Sequence, residues 1–139
     1  SKSEEYIISD LMHIIFHWFH DYAFPKQGSR YQPLLEKLRG DIYAHPEYDW
    51  TLEMMAERIN LSPRSLQKVY KNFANISCIS EVIESRMIRA KMLLVRSDFD
   101  VGEISMQCGY RNVEHFCRQF KKHEGCSPSH YRKEHLVQP

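Results

Sequence analysis

Part of this sequence repeats itself fifty residues further on, with one unbroken helical stretch lying between the two copies. Leu66 and Phe116, Lys68 and Arg118, Tyr70 and Phe120, Lys71 and Lys121, and Ser77 and Ser127 all stand at a constant offset of 50. Earlier in each copy Met55, Ala56, Ile59, Asn60 and Leu61 match Ile104, Ser105, Cys108, Gly109 and Tyr110, so the later copy carries one extra residue in its turn. Self-similarity over this length limits the chain to folds built from two like units. Residues 80–97 between them contain no Gly or Pro, and Ser80 can cap the start. At 1.5 Å per residue such a helix spans roughly 27 Å. Ile79, Ile83, Met87, Ala90 and Leu94 recur at helical spacing, with Val82 and Leu93 at the edge, while Ile88, Met92 and Val95 fall nearly opposite. Two apolar sides are expected where a helix is buried between two neighbours, although an ordinary core helix has the same periodicity.

Each copy reads as two short helices around a tight turn. In the first, Thr51 is a good N-cap and Leu52, Met55, Ala56 and Ile59 share a face. Asn60 tolerates the left-handed backbone that a tight turn needs, and Ser62-Pro63 opens the next helix with a cap and a proline at its first position. That helix turns Leu66, Val69, Tyr70 and Phe73 inward. Arg64, Gln67, Lys68, Lys71 and Asn75 lie on the other face, with no acid between Leu61 and Ser80. A pair of helices with a basic outer face on the second is the helix-turn-helix pattern. In the second copy Asp100-Val-Gly-Glu103 resembles a capping box, and Ser127-Pro128 opens a short last helix.

The chain ahead of the repeat is helical too. Residues 4–22 carry a wide apolar arc, in which Ile8, Leu11, Ile15, Trp18 and Tyr22 alternate at coiled-coil spacing for about two heptads. Packing on the rest of the chain and contact with a second copy or a further domain both remain open. His13, His17 and His20 share the polar side with Asp10, where they could meet a metal. No Glu follows His13 as a zincin motif requires, so a solvated polar stripe is the expected reading and no metal or other cofactor is expected. Residues 25–30 read as a linker, residues 33–44 as a helix ended by His45-Pro46, and no stretch alternates as a strand does.

The totals narrow the function classes. Through Asn60 six basic residues stand against ten acidic ones; after it thirteen stand against eight, which suggests a polyanionic partner for the second half. The four cysteines show neither a Cys-x-x-Cys pair nor zinc-finger spacing. With no signal peptide or membrane-length apolar run, a cytoplasmic location without membrane contact is expected. Ser1 is not an initiator methionine, which suggests a piece of a longer protein.

The most specific stretch is Gly109-Tyr-Arg-Asn-Val-Glu-His-Phe-Cys-Arg-Gln-Phe-Lys-Lys-His-Glu-Gly-Cys-Ser-Pro-Ser-His-Tyr-Arg132. Its Gly-Tyr, Phe-x-Arg-x-Phe-Lys-Lys, Gly-x-Ser-Pro and Tyr-Arg elements, together with Arg86, Ala90 and Leu94, make residues 33–135 resemble the DNA-binding domain of AraC/XylS-family transcription regulators. The resemblance implies an all-α fold of seven helices. Two homeodomain-like helix-turn-helix subdomains, about 51–75 and 101–124, would be joined by the linker helix 80–97, and residues 1–30 would add an N-terminal helix and linker to a DNA-binding domain at 31–139. Asn60, Tyr70 and Asn75 depart from the family's Gly, Phe and Gly, and Glu81 stands where a Tyr is common; these changes are expected to leave the fold intact. Glu114-His115 replaces a common Ser-Tyr pair and alters the contacts expected of the second reading helix.

The function that follows is sequence-specific binding of double-stranded DNA, as the DNA-binding part of a bacterial transcription regulator rather than an enzyme. A helical protein-interaction module is the alternative. Arg64, Gln67 and Lys68, with Ser65 beside them, are the candidate base readers of the first helix, because Arg and Lys suit guanine and Gln suits adenine. Lys71 is assigned to phosphate. Asn112, Glu114, Cys117 and Arg118 take the equivalent face of the second helix, with Lys121 and Lys122 toward the backbone. Glu114 can accept from cytosine N4 or simply repel phosphate, and both remain open. The family resemblance adds activation as the commoner mode, RNA polymerase as a partner, and a dimerising or sensing domain ahead of this part.

Overall fold

The computed structural model describes residues 2–23 and 30–136, with the side chains of residues 20–23 outside that description. The described residues form eight helices and no strand: α1 Lys2–Ala23, α2 Gln32–Ala44, α3 Leu52–Ile59, α4 Pro63–Ala74, α5 Cys78–Arg96, α6 Val101–Gln107, α7 Val113–Glu124 and α8 Pro128–His135. The expected linker at 25–30 falls almost wholly outside the described residues, as does the side chain of His20. The chain divides into two compact units. One is Phe16–Ser85, and the other joins Ser1–Ile15 to Arg86–Pro139, so α1 and α5 each contribute to both.

In the Phe16–Ser85 unit α2, α3 and α4 pack on one another around Leu35, Leu38, Ile42, Met55, Ile59, Leu66, Tyr70 and Phe73, with Cys78 and Val82 supplied by α5. Capping sets the helix starts. The Thr51 hydroxyl accepts from the Met54 amide at 3.1 Å, and the Ser62 hydroxyl accepts from the Ser65 amide at 3.2 Å. Asn60 sits at φ 58° and ends α3, and the Leu61 amide reaches back to the Ala56 carbonyl at 3.0 Å. Asn75 ends α4 in the same left-handed conformation, at φ 64°.

The other unit repeats these devices. Asp100 and Glu103 form the complete capping box at the start of α6. Gly109, at φ 92°, takes the place of Asn60, and the Tyr110 amide donates to the Ser105 carbonyl at 2.9 Å as Leu61 does to Ala56. Gly125, at φ 85°, takes the place of Asn75. The core is a row of rings: Tyr110 meets Phe116, Phe116 meets Phe120, and Phe120 meets Tyr131 edge-on at 5.6 Å. Arg132 of α8 donates to the Leu94 carbonyl at 2.9 Å and the Ser97 carbonyl at 3.3 Å, satisfying the open C-terminal end of α5.

Three expectations change. The linker helix starts two residues before Ser80, because the Ser77 hydroxyl accepts from the Ser80 amide at 3.0 Å and so caps the helix itself. The second apolar stripe of α5 is not buried: Met92 is exposed and Ile88 and Val95 are half-buried. Its place is taken by polar side chains, since Glu81, Ser85 and Lys91 are buried. On α1 the polar side is not simply solvated. Ser3 and Ile7 are buried and Asp10, Ile14 and His17 are half-buried along one line, with His17 Nε2 3.1 Å from the Ala74 carbonyl. Most of the apolar arc faces solvent instead.

Candidate nucleic-acid interface

The two candidate faces follow from how α4 and α7 are packed. Each presents Leu66, Tyr70 and Phe73, or Phe116 and Phe120, to its own core, and helical geometry turns the intervening positions outward. On α4, Arg64, Ser65, Gln67, Lys68 and Lys71 are all exposed. On α7 and its cap, Asn112, Glu114, Arg118, Lys121 and Lys122 are exposed and Cys117 is half-buried. Within each unit, therefore, the residues singled out from sequence lie on one open face of one helix.

Several of them already hold local structure. Ser65 accepts a hydrogen bond from the Ser62 hydroxyl at 2.9 Å, and the Asn112 carbonyl oxygen accepts from the His115 amide at 2.9 Å as the N-cap of α7. Asn112 therefore keeps only its amide NH2 for a ligand. Lys71 donates to the Asn75 carbonyl at 2.7 Å, where its charge also complements the negative end of α4. Glu114 lies in the first turn of α7, where a carboxylate is favoured by the helix dipole. Burial, followed by the Glu114 charge, pushes the Cys117 thiol above its ordinary range, so Cys117 offers a neutral thiol at this face.

Asn72 on these faces escaped sequence reasoning, and His115 entered it only as half of the Glu114-His115 departure, with no contact of its own assigned. Asn72 is exposed one residue after Lys71, matching Lys122, and His115 is exposed one residue after Glu114, matching Ser65. The constant offset of 50 that paired Lys71 with Lys121 identifies both.

Each of α4 and α7 is fixed from behind by buried polar chemistry. In the Phe16–Ser85 unit Glu81 is buried and accepts from the Tyr70 hydroxyl of α4 at 2.9 Å and from the Tyr43 hydroxyl of α2. Arg39 Nε lies 3.2 Å from the same carboxylate, and its guanidinium stands 5.4 Å over the Phe73 ring. Burial, then the Glu81 charge, raises both phenol pKa values well above the ordinary tyrosine range, so both hydroxyls stay donors. In the other unit Lys91 pairs with Asp10 of α1 and, at 3.1 Å, with Glu124 at the end of α7. Burial alone would lower the Lys91 pKa, but the Asp10 hydrogen bond and the Glu124 charge outweigh it and the net shift is upward. Burial would likewise raise Glu124, yet the His123 hydrogen bond and the Lys91 charge bring it down. Tyr110, beneath the α6–α7 turn, hydrogen-bonds Gln119 of α7 and lies 5.2 Å below the Arg86 guanidinium. Its phenol is pushed up to about 12, chiefly by burial.

Among the described residues no group of three His, Cys, Asp or Glu side chains could hold a metal ion, and no helix is long and apolar enough to cross a membrane.

Residues 55–134 match the family model described as a helix-turn-helix domain. The uncharacterized HTH-type transcriptional regulator YdiP of Escherichia coli strain K12 is 38% identical over 84 residues, which cover 60% of this chain and 28% of that protein. The chain spans 14% to 39% of the length of the curated relatives it matches. Among solved structures, the C-terminal domain of AraT, a response regulator from Geobacillus stearothermophilus, superposes with a TM-score of 0.72 at 34% identity, covering 79% of this chain and 92% of that one. The DNA-binding domain of AdpA, a global transcriptional factor solved with a target DNA, superposes with a TM-score of 0.68 at 25% identity, covering 72% of this chain and 90% of that one. With two helix-turn-helix units in its fold and the family model matching more than half its length, the chain belongs to the AraC-type helix-turn-helix domain family.

Proposed function

We propose that this chain is the DNA-binding part of a bacterial transcription regulator and that α4 and α7 each read a major groove. The observation that carries the reading is the duplication of one face. Lys68 and Lys71 on α4 and Arg118 and Lys121 on α7 are exposed at like positions, each on the helix that follows a tight turn, and Arg64 and Lys122 add one further exposed cation to each face. The AdpA domain was solved with a target DNA, which supports duplex DNA as the ligand. Arg64, Gln67 and Lys68 read base edges on α4, and Arg118 and Glu114 do so on α7, Glu114 by accepting from cytosine N4. Ser65, Asn112 and Cys117 line the same faces through hydroxyl, amide NH2 and thiol. Lys71, Lys121 and Lys122 hold phosphate. Continuous α5, 19 residues long and so about 28 Å at 1.5 Å per residue, serves as the spacer. By family resemblance the regulator activates and engages RNA polymerase in the compartment that holds the DNA.

The test is binding to a duplex selected from a random pool, measured against salt. The three phosphate-facing lysines would give a slope of log K on log salt of about −3, from 0.9 per contact. Replacing Lys71 with Ala should weaken all sequences alike and flatten the slope by about one, whereas Lys68→Ala should relax discrimination at one base pair and cost about 1–3 kcal/mol. Duplex affinity that hardly changed between low and high salt would overturn the reading and favour a protein-interaction module.

A further inference from the structure

The exposed faces of α4 and α7 differ in how they respond to acid. Ser65, Lys68 and Asn72 line one edge of α4, and His115, Arg118 and Lys122 line the same edge of α7, at helical steps of three and four. All six are exposed. The exposed ionisable side chains of α4 are Arg64, Lys68 and Lys71, and arginine and lysine keep their charge from about pH 5 to 9. Histidine is the side-chain type that changes charge between about pH 5 and 8, so the edge of α7 can gain a cation where the edge of α4 cannot. The fold holds His115 in place for contact. Its backbone amide donates to the Asn112 cap at 2.9 Å, and its ring stands edge-on to Tyr110, 5.6 Å between centroids, on the shoulder between core and open face. The other histidines of α7 and α8 are engaged: His123 Nδ1 lies 2.9 Å from Glu124, His130 Nε2 lies 2.9 Å from Glu134, and His135 Nδ1 lies 2.8 Å from the Tyr131 carbonyl. Among the described residues the ring nitrogens of His115 have no such partner.

We propose that His115, as an imidazolium, donates to a DNA phosphate beside the second half-site, so that α7 grips more tightly as pH falls while α4 is indifferent. This contact rests on the reading of DNA by α7 and gives it a proton dependence. Phosphate, rather than a base edge, follows from position. Glu114 and Cys117 form the crest of α7, whereas His115 lies on its flank with Lys122, and phosphates border the groove that the crest enters. The charged neighbours act in both directions. Glu114, next to His115, attracts an imidazolium; Arg118 and Lys122 on the same edge and Arg111 in the turn ahead repel it. Behind the ring stands Tyr110, whose phenol is pushed up to about 12 and stays neutral, and the Arg86 guanidinium of α5 lies 5.2 Å from the Tyr110 ring. An arriving phosphate adds an anion to this balance and favours the charged ring. Binding therefore takes up a proton at His115, and by reciprocity acid strengthens binding. The two half-sites then respond unequally to pH, because the edge of α4 has Ser65 where α7 has His115.

The test measures binding of the whole chain to the duplex selected from a random pool, and to versions with either half-site scrambled, across a salt series at about pH 5.5 and about pH 8, either side of the imidazole range. The half-site of α7 is the one whose protection Arg118→Ala removes. In acid the parent should bind about tenfold more tightly, the effect of one charge-assisted hydrogen bond, and its slope of log K on log salt should steepen by about 0.9 for one added phosphate contact. The duplex that keeps only the half-site of α7 should show the same gain, and the duplex that keeps only that of α4 should change less than about twofold. His115→Gln should lose both the gain in affinity and the gain in slope. His115→Arg, with a fixed charge, should bind at about pH 8 as tightly as the parent does at about pH 5.5. Because residue 115 is exposed, the helix content of both variants should match the parent. Binding that ignores salt at both pH values would overturn the proposed function itself. Salt-dependent binding whose pH response is absent, equal at the two half-sites or unchanged in His115→Gln would overturn this proposal alone.

Discussion

Replacing Glu81 tests whether the buried carboxylate holds α4 in place. Glu81 is buried beside Arg39, which is buried as well, and it accepts from two phenols, Tyr70 on α4 and Tyr43 on α2. Glu81→Ala takes the counter-charge from a buried guanidinium, a loss of about 3–5 kcal/mol when one partner of a buried pair is removed. It also removes the acceptor of two largely buried hydroxyls, each worth about 1–3 kcal/mol. These terms overlap, so the sum is an upper bound, but a loss of about 5 kcal/mol rivals the whole stability of a small domain. Glu81→Gln keeps the shape and one oxygen and should cost about 3 kcal/mol. Tyr70→Phe loses one hydrogen bond to a charged acceptor and should cost about 1.5–3 kcal/mol. Urea unfolding followed by far-ultraviolet circular dichroism gives all three values, and the order should be Tyr70→Phe, then Glu81→Gln, then Glu81→Ala. The combination Arg39→Met with Glu81→Leu should recover most of the loss, because apolar replacement of an entire buried pair is often neutral. Glu81→Ala within about 1 kcal/mol of the parent would refute the reasoning, since a lone buried Arg39 costs more than that.

The second buried pair predicts a different signature. Lys91→Met should cost about 2 kcal/mol, below the range for fully buried pairs because Asp10 and Glu124 keep partial access to water. The raised Lys91 pKa contributes stability that is full below about pH 10 and is lost as pH rises through the folded value, while the lowered Glu124 pKa contributes stability lost as pH falls through its folded value. The melting temperature of the parent should therefore fall at both extremes more steeply than that of Lys91→Met. At the left-handed helix ends, Asn75→Ala should cost about 1 kcal/mol and Asn75→Gly should be neutral or mildly stabilising, read from the same urea titrations.

Residue spacing made much of the fold legible because its helix ends are built from local chemistry. Thr51, Ser62, Asp100 and Ser127 cap where side-chain type indicated, and Asn60 and Gly109 take the same left-handed turn that the internal match had paired. The departures from the family pattern also resolve physically. Tyr70 and Glu81 answer one another across the first unit, each supplying what the other's burial requires. What spacing could not show was which side of an amphipathic helix turns inward when the protein supplies a charged partner from a distant position. Lys91 is 81 residues from Asp10, and the inward line of α1 sets Asp10 and His17 beside Ile7 and Ile14 while most of the apolar arc stays outside. The same blindness hid the buried Glu81, Ser85 and Lys91 of α5 behind an apolar periodicity that described it only in part. The candidate interface was legible through the repeat, and Asn72 was missed, and His115 given no contact of its own, because that repeat was not carried to every position.

The claim that α4 and α7 both read DNA is tested most directly by a base-resolved protection footprint on the selected duplex, comparing the parent chain with Arg64→Ala/Lys68→Ala and with Arg118→Ala. The account predicts two protected major-groove segments, the first lost when the α4 residues are removed and the second when Arg118 is removed. A single protected segment, or two segments that weaken equally in both variants, would contradict it.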